Sequence, residues 1–320
     1  MVVRSLEPFE VVISPVEANR RIDKVLAKRD LGISRARLQR WIEEGRVRVD
    51  GEPVLAKTKV VMGDVVRIVP APVEPSGVVP QHIPLDIVYE DEHLLVLNKP
   101  AGLVVHPAPG HAQGTLVNGL LYHWNVTASE AAPRAGIVHR LDKDTSGLMV
   151  VAKAAFVHEA LVQAFQERLI AREYEAIVVG ILPERAMRIE TLYGRHPIHR
   201  KRFSSQVERG KIAITNVEVK NALHGSSWLR CRLETGRTHQ IRVHLADRGF
   251  PVLADSTYGK VPHDPTLARA AIELGRQALH ATVLGFAHPI SKQWLLFHTE
   301  LPVPFLRALQ ALGAEQFTDG

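Results

Sequence analysis

His139-Arg-Leu-Asp-Lys-Asp-Thr-Ser-Gly-Leu-Met149 runs directly into the apolar stretch Val150-Val-Ala152. A charged loop therefore feeds a strand that the apolar run predicts to be buried. Loops anchored on a rigid scaffold often carry catalytic groups, and Gly147 permits a turn that larger residues resist. The same pattern is also typical of a surface turn closed by Asp144 and Thr145. From the residues alone, the surface turn is the favoured interpretation and a catalytic loop is the alternative.

A second segment, Leu233-Glu-Thr-Gly-Arg-Thr-His-Gln-Ile-Arg-Val-His-Leu245, predicts a junction between a strand and a helix. Apolar and charged residues alternate over 229–234, which predicts a half-buried strand that extends to position 236. Thr238 is then the expected N-cap of a helix that runs to Gly249. Arg237 lies at the junction, where a side chain can point into a cleft. A surface arginine is the alternative.

The N-terminal part of the chain carries the positive charge. Ten basic and four acidic residues lie between Arg20 and Arg48, an excess of six that equals the +6 of the whole chain. Apolar residues at helical spacing predict two short helices here, and Asp50-Gly51 predicts a hairpin turn. Because the two signs are poorly mixed, phosphate binding is favoured over a solvated helix face. Five prolines within residues 70–84 then predict a stiff linker and a domain boundary.

Length and composition narrow the class of protein. The chain has 320 residues, which favours two domains, and its 46% apolar content is ample for packed cores. The single cysteine, Cys231, excludes an intramolecular disulfide and a cysteine-rich zinc site. The first residues lack the pattern of a signal peptide, and the apolar runs are too short for a membrane span. We expect a cytoplasmic monomer without membrane contact.

Several segments together resemble the RluA family of pseudouridine synthases, over about residues 85 to 302. The matching segments are His139-Arg-Leu-Asp142, Thr235-Gly-Arg-Thr-His-Gln-Ile-Arg242, Asn98-Lys-Pro-Ala-Gly102, Arg172-Glu-Tyr-Glu-Ala176, His196-Pro197, Tyr258-Gly259 and Gln277-Ala-Leu-His-Ala281. Residues 18 to 70 resemble the S4 RNA-binding domain. The resemblance implies an α+β fold class: a pseudouridine synthase catalytic domain with a central mixed, mostly antiparallel sheet flanked by helices, plus a small N-terminal S4 α/β RNA-binding domain.

The expected organisation follows from these two resemblances and from the proline-rich segment. It comprises an N-terminal extension (1–17), an S4 domain (18–70), a linker (71–84), a catalytic domain (85–312) and a C-terminal tail (313–320).

The family resemblance also implies the roles of individual residues. Uridine becomes pseudouridine when the bond from ribose C1′ to uracil N1 is cut and the base is rejoined through C5. Asp142 is the implied catalytic carboxylate, which either attacks a carbon or takes a sugar proton. Arg237 is the implied salt-bridge partner of Asp142, and Tyr174 is implied to stack on the uracil and to help with the C5 proton. The chemistry needs no cofactor and no metal.

The implied partner is large-subunit ribosomal RNA or a pre-ribosomal particle, with the helix 69 stem-loop as the target. Segments 104–110 and 133–142 are those most similar to the family members that act on this RNA. The target uridine must first be extruded from its stack, and Arg140 matches the position that fills the space it leaves. The expected RNA-binding residues are Arg140, His139, Arg20, Arg21, Lys24, Arg35, Arg37 and Arg40.

Two other functions fit parts of the same pattern. One is a catalytically silent S4-domain RNA-binding ribosome assembly factor, which the joint presence of Asp142, Tyr174 and Arg237 disfavours. The other is a metal hydrolase whose ligands would be His139, Asp142, Asp144, His239 and His244. The chain also departs from the family at Ala254, where glycine is usual, and over residues 199–210. We expect these departures to affect the choice of target more than the chemistry.

Overall fold

The computed structural model describes residues 7–29, 31, 33, 35–70, 78–108, 110–128, 131, 133–199 and 202–314. For residues 35–37, 133 and 134 it describes the backbone only. The chain divides into two compact units, Met1–Gly77 and Val78–Gly320. None of the described helices is both long and apolar enough to cross a lipid bilayer.

The smaller unit packs two helices on a four-stranded antiparallel sheet. Its elements are β1 (Phe9–Val12), α1 (Ile22–Lys28), α2 (Arg35–Glu43), β2 (Val47–Val49), β3 (Glu52–Pro53) and β4 (Val65–Ile68), in the sheet order β1-β4-β2-β3. The apolar residues predicted at helical spacing form its core, among them Ile22, Leu38 and Trp41. Asp50 and Gly51 both have positive φ, as a two-residue hairpin turn requires. The predicted helices and hairpin are confirmed.

The N-terminal boundary of this unit lies earlier in the chain than residue 18. Strand β1 pairs with β4 from Phe9 opposite Ile68 to Val12 opposite Val65. The expected extension over residues 1–17 therefore contains a strand of the small sheet. Its partner lies more than fifty residues away in the chain, so no local pattern signals the pairing.

The expected linker over residues 71–84 is shorter than its proline content indicates. The side chain of Asn118 donates a hydrogen bond to the carbonyl of Val79 (2.8 Å), and the amide of Gln81 donates to the carbonyl of Asn118 (3.0 Å). Val78 packs against the core of the larger unit. Residues 78–84 thus belong to that unit, and residues 71–77 lie outside the described residues.

The larger unit is built on one ten-stranded sheet. Its strands are β5 (Ile87–Glu90), β6 (Leu94–Lys99), β7 (Ser146–Ala152), β8 (Ala171–Val179), β9 (Ala186–Arg195), β10 (Phe203–Ser204), β11 (Lys211–Leu223), β12 (Ser226–Leu233), β13 (Leu279–Ala287) and β14 (Trp294–His298). The order is β10-β9-β11-β12-β8-β13-β7-β6-β5, with β14 also paired to β13. Strands β7 and β13 pair in parallel, and the other pairings among the described strands are antiparallel.

Helices cover both faces of this sheet. They are α3 (Leu116–His123), α4 (Ala155–Gln166), α5 (Gln240–Asp247), α6 (Pro265–Leu274) and α7 (Val303–Ala311). Strand β6 shows why the sheet is buried on both sides: Leu95 and Leu97 face one apolar core, and Leu94 and Val96 face the other. The central, mostly antiparallel sheet is confirmed. Apolar residues also recur at helical spacing over residues 157–165 (Val157, Ala160, Leu161, Ala164 and Phe165), which predicts an amphipathic helix, and α4 confirms it.

Candidate active site

Asp142 lies in the loop that leads into β7, and the packing of β7 fixes the loop. The amide of Thr145 donates to the carbonyl of Asp142 (3.2 Å), and Gly147 pairs with Ala281 of β13. Gly147 has a φ of +117°, and a Cβ there would lie 2.2 Å from the carbonyl oxygen of Ala281. Only glycine fits this approach of two backbones. The loop is therefore held at the start of a central strand and is not a free surface turn.

Lys99 holds the same loop from beneath. The side chain is fully buried. Its Nζ donates to the carbonyl oxygens of Pro100 (2.8 Å), Leu103 (2.9 Å) and Lys143 (3.1 Å). Burial lowers the pKa of Lys99 to about 7, while the charges of Asp144 and Asp142 act in the opposite direction. The ammonium group thereby ties the loop after β6 to the residue that follows Asp142.

Arg242 on α5 holds two carboxylates at once. Its Nη1 donates to Oδ2 of Asp142 (2.9 Å), and its Nε and Nη2 donate to the two oxygens of Asp255 (2.7 and 2.8 Å). Arg242 and Asp255 are both buried, whereas the Asp142 side chain is 16% exposed. Burial acts to lower the pKa of Arg242, but the hydrogen bonds and charges of the two carboxylates raise it above its ordinary value. Asp142 is thus anchored through Oδ2, and Oδ1 is left for a substrate.

The predicted salt bridge between Arg237 and Asp142 is wrong. The Nε of Arg237 donates to the carbonyl of Ile212 (3.3 Å), and Arg242 takes the place next to Asp142. Arg237 still lines the cleft into which Asp142 opens. It lies in the turn before α5, whereas Arg242 lies on the buried face of that helix.

The turn before α5 also differs from its prediction. Strand β12 ends at Leu233 rather than near Gly236, and the N-cap is His239, with a left-handed φ of 60°, rather than Thr238. The side chain of Gln240 holds the turn that precedes the helix. Its Oε1 accepts hydrogen bonds from the Thr235 hydroxyl (2.8 Å) and from the amide of Arg237 (3.0 Å).

His239 lies beside the free oxygen of Asp142. Its Nε2 is 3.7 Å from Oδ1 of Asp142, and its Nδ1 is 2.9 Å from the hydroxyl of Tyr258. That hydroxyl accepts a hydrogen bond from the amide of Phe203 (3.1 Å), so its own proton is available to Nδ1. Burial lowers the pKa of His239, which favours the neutral ring. In this arrangement Nε2 carries the proton that faces Asp142.

Tyr174 and Arg140 line the same cleft, whose volume is about 580 Å³. Tyr174 is buried, and burial raises the pKa of its phenol, which therefore stays protonated. Arg140 is exposed, and among the described residues it forms neither a hydrogen bond nor an ion pair. The structure thus brings Asp142, Tyr174, Arg140 and Arg237 to one cleft.

His139 was expected to bind RNA, and in the structure its side chain contacts the backbone of the protein. Its Nε2 accepts the amide hydrogen of Val150 in β7 (3.0 Å). Burial, together with the charge of Arg172, lowers the pKa of His139 to about 3. The ring is neutral near pH 7, so it offers no positive charge to a phosphate. RNA contact by His139 stays a prediction.

The basic residues predicted in the smaller unit fall into three groups. Arg20, Lys24 and Arg40 are exposed. Arg21 forms two hydrogen bonds with the buried carboxylate of Asp23 (3.0 and 3.1 Å), which offsets its charge. The side chains of Arg35 and Arg37 lie outside the described residues, although both positions belong to α2.

The ligand set of the hydrolase alternative does not assemble. His139 and His239 are engaged as described above, and His244 lies between the hydroxyls of Thr215 (2.9 Å) and Thr191 (3.0 Å). Within the described part of the chain, no three His, Cys, Asp or Glu side chains are grouped so that they could hold a metal ion.

Comparison with known proteins shows the family to which the chain belongs. Residues 93–247 match the family model described as RNA pseudouridylate synthase, and residues 20–66 match the S4 domain. The human RNA Pseudouridylate Synthase Domain Containing 1 has a similar structure, with a TM-score of 0.55 and 28% identity, over 72% of this chain and 87% of that one. The chain belongs to the RNA pseudouridine synthases and carries an S4 domain.

Its sequence relatives specify the group further. The chain is 43% identical to "Ribosomal large subunit pseudouridine synthase D" of Pasteurella multocida, over 93% of both chains. It is also 43% identical to the protein of that name from Pseudomonas aeruginosa, over 99% of this chain and 98% of the relative. The resemblance to the RluA family is confirmed, and these relatives are of the synthase D type.

Sequence reasoning missed Arg242, Asp255 and Lys99 as parts of the site, and it considered His239 only as a metal ligand. Three of these four residues lie in quoted motifs, so their segments were found but not their roles. No local signal marked Arg242, because neighbouring residues on a helix point in different directions, so Ile241 and Val243 do not predict its burial. Asp255, which holds Arg242, directly follows Ala254, the position at which the chain departs from the family.

Proposed function

We propose that this enzyme isomerises uridine to pseudouridine in large-subunit ribosomal RNA, free or within a pre-ribosomal particle, and that the helix 69 stem-loop is its target. The observation that carries the proposal is the carboxylate of Asp142, anchored by Arg242 in a cleft that Tyr174 also lines. The names of the relatives support the substrate class. An S4 domain with exposed Arg20, Lys24 and Arg40 supports binding to a folded RNA through its phosphates.

The reaction breaks the bond from C1′ to N1, forms one from C1′ to C5, and moves a proton from C5 to N1 in net terms. Oδ1 of Asp142 is the atom that meets the nucleotide, because Oδ2 is held by Arg242. The raised pKa of Tyr174 keeps its phenol protonated. A protonated phenol is suited to stacking on uracil and is a poor base. We therefore propose Asp142, the carboxylate that lines the same cleft, as the acceptor of the C5 proton.

A uridine within a stem-loop must leave its stack before Asp142 can reach it, at a cost of a few kcal/mol. Arg140 has the exposure and the freedom from internal partners that insertion into the RNA requires. Its guanidinium takes the space of the extruded base, where it stacks and pairs with phosphate.

The test measures pseudouridine formation in a helix 69 stem-loop by the parent enzyme, Asp142→Asn and Asp144→Asn. Asp144→Asn makes the same change of charge two residues away and does not contact Arg242. We expect Asp142→Asn to form no detectable pseudouridine while its affinity for the RNA stays within about threefold of the parent. Asp144→Asn retains activity.

The outcomes separate the parts of the proposal. Pseudouridine formed by Asp142→Asn would remove Asp142 from the chemistry. A parent that modifies other ribosomal uridines but not helix 69 would leave the chemistry and overturn the target. A parent that binds the RNA and modifies no uridine, also when ribosomal RNA from cells with and without the protein is mapped, would favour the assembly factor.

A further inference from the structure

Arg172 of β8 is a buried arginine without an acidic partner. The residue is 8% exposed, and among the described residues no carboxylate lies within ion-pair distance of it. Its one hydrogen bond runs from Nη2 to the carbonyl of Leu233 and is long, at 3.4 Å, while its Nε has no partner. Arg242, equally buried, meets two carboxylates.

The groups around the guanidinium are neutral. It lies over the ring of Phe165, 5.2 Å from the centroid. His139 is held in its neutral form, partly by the charge of Arg172 itself. On a further side lies the backbone of Gly236, where a Cβ would come within 2.7 Å of Nη1 of Arg172. The fold thus encloses the guanidinium, and none of the residues that the structure describes neutralises its charge.

An isolated buried charge is costly, and proteins normally pair it. Burial lowers the pKa of Arg172, yet an arginine side chain does not lose its proton in a protein. The folded chain alone therefore leaves this cost unrelieved. A partner that arrives from outside would relieve it.

Arg172 also lines the cleft of Asp142 and Tyr174, together with Arg140 and Arg237. It is two residues before Tyr174 on the same strand, so both side chains point to the same face of the sheet, about 7 Å apart along β8. A nucleotide whose base stacks on Tyr174 would therefore bring its backbone into this part of the cleft. The anion that RNA carries at every residue is the phosphodiester, and a guanidinium fork matches its two free oxygens.

We propose that Arg172 is the phosphate-binding residue of the catalytic cleft, which pairs with one phosphodiester of the strand that carries the target uridine. This proposal rests on the proposed function for the identity of the strand. It assigns to Arg172 a role in binding and orientation, distinct from the anchoring of Asp142 by Arg242. Gly236 leaves room for the guanidinium, because it carries no side chain that would displace it.

The test uses the full chain and a stem-loop with single methylphosphonate linkages, each of which removes the charge of one phosphate near the target uridine. Affinities are measured for the parent, Arg172→Met and Arg172→Lys. We expect one linkage to weaken binding to the parent roughly ten- to a hundredfold, the loss expected for a hydrogen bond to a charged group. In Arg172→Met, binding to the unmodified RNA falls by the same factor, and that linkage has no further effect. Arg172→Lys keeps the charge without the fork and falls between the two.

A second measurement separates this role from a structural one. Methionine replaces a buried unpaired charge by an apolar chain of similar length, so Arg172→Met keeps or raises the melting temperature of the free protein. Arg242→Met, the matched control, lowers it, because two carboxylates lose their partner. A fall in the melting temperature of Arg172→Met, unchanged RNA affinity, or losses that stay additive for every linkage would each overturn the proposal. A parent that binds the stem-loop without forming pseudouridine would instead contradict the proposed function, and the coupling to phosphate would still be measured.

Discussion

Arg242 links the carboxylate of Asp142 to the buried carboxylate of Asp255, so its loss is the most costly in the site. Removing its side chain leaves Asp255 buried without a cation and frees Asp142 to turn. We expect Arg242→Ala to abolish turnover and to lower the free energy of unfolding by about 3–5 kcal/mol, the usual cost of stranding one half of a buried pair. Urea unfolding and single-turnover rates on the stem-loop measure the two effects.

Arg237→Ala is the matched control for this prediction. It removes the other arginine of the same motif, which touches the carbonyl of Ile212 and lines the cleft. Because Asp142 keeps its anchor, we expect weaker RNA capture with an intact single-turnover rate at saturating RNA. The assignment fails if Arg237→Ala stops the chemistry while Arg242→Ala supports it.

Ala254 stores backbone strain next to the same anchor. Its φ is 60°, in the left-handed region that disfavours residues with a Cβ, and the next residue is Asp255. Glycine, the usual family residue here, adopts this conformation freely. We expect Ala254→Gly to raise the free energy of unfolding by about 0.5–1 kcal/mol, after the loss of unfolded-state restriction is subtracted. The departure from the family thus lies next to the residue that anchors Arg242.

Ala246→Gly tests whether the expected stabilisation by Ala254→Gly comes from the left-handed backbone at residue 254. Ala246 lies inside α5 with ordinary helical geometry, so the same substitution there lowers the free energy of unfolding by about 1 kcal/mol. Urea midpoints at unchanged slope give both values. If both substitutions destabilise, the left-handed strain at Ala254 is not relieved by glycine.

At the level of elements, the sequence predicted those helices, strands and turns that depend on short-range patterns of residues. Period-two alternation gave the strand that is β12, helical spacing gave α4 and the two helices of the smaller unit, and Asp50-Gly51 gave a hairpin. What could not be predicted depends on distant contacts. Strand β1 needs β4 as its partner, and residues 78–84 need Asn118. The sequence of each segment by itself therefore does not indicate its structure.

Helix α5, within the site, was also predicted only in part. Its existence was predicted, but its first turn was misplaced, because His239 adopts a left-handed conformation that its sequence does not demand. The motif contains two arginines five residues apart, and Arg242, which the buried carboxylate of Asp255 also holds, is the one that reaches Asp142.

Over the whole molecule, histidines are distributed as unevenly as the positive charge of the N-terminal region. All sixteen lie beyond residue 77, so the smaller unit has none. His244, His280 and His288 of the larger unit are buried, and burial lowers the pKa of His244 and of His280 to about 4. His244 is held between two threonine hydroxyls, and Nδ1 of His280 lies 2.7 Å from the hydroxyl of Ser146 at the start of β7. Protonation of either ring opposes this packing.

The two units therefore respond differently to mild acid. Between pH 6.5 and about 4 the unfolded chain binds a proton at His244, at His280 and at His139 while the folded chain does not, so stability falls as pH falls. At pH 5 the loss is about 2 kcal/mol for each histidine, whereas the carboxylates contribute mainly below that range. Hydrogen exchange at pH 7 and pH 5, corrected for the intrinsic rates, should show lost protection in β7, β11 and β13 and unchanged protection in β2 and β4. His244→Gln combined with His280→Asn should reduce the difference, because neither new side chain takes up a proton. Equal losses in both units, or a pH response that the double variant leaves unchanged, would show that these rings do not set the acid stability of the catalytic unit.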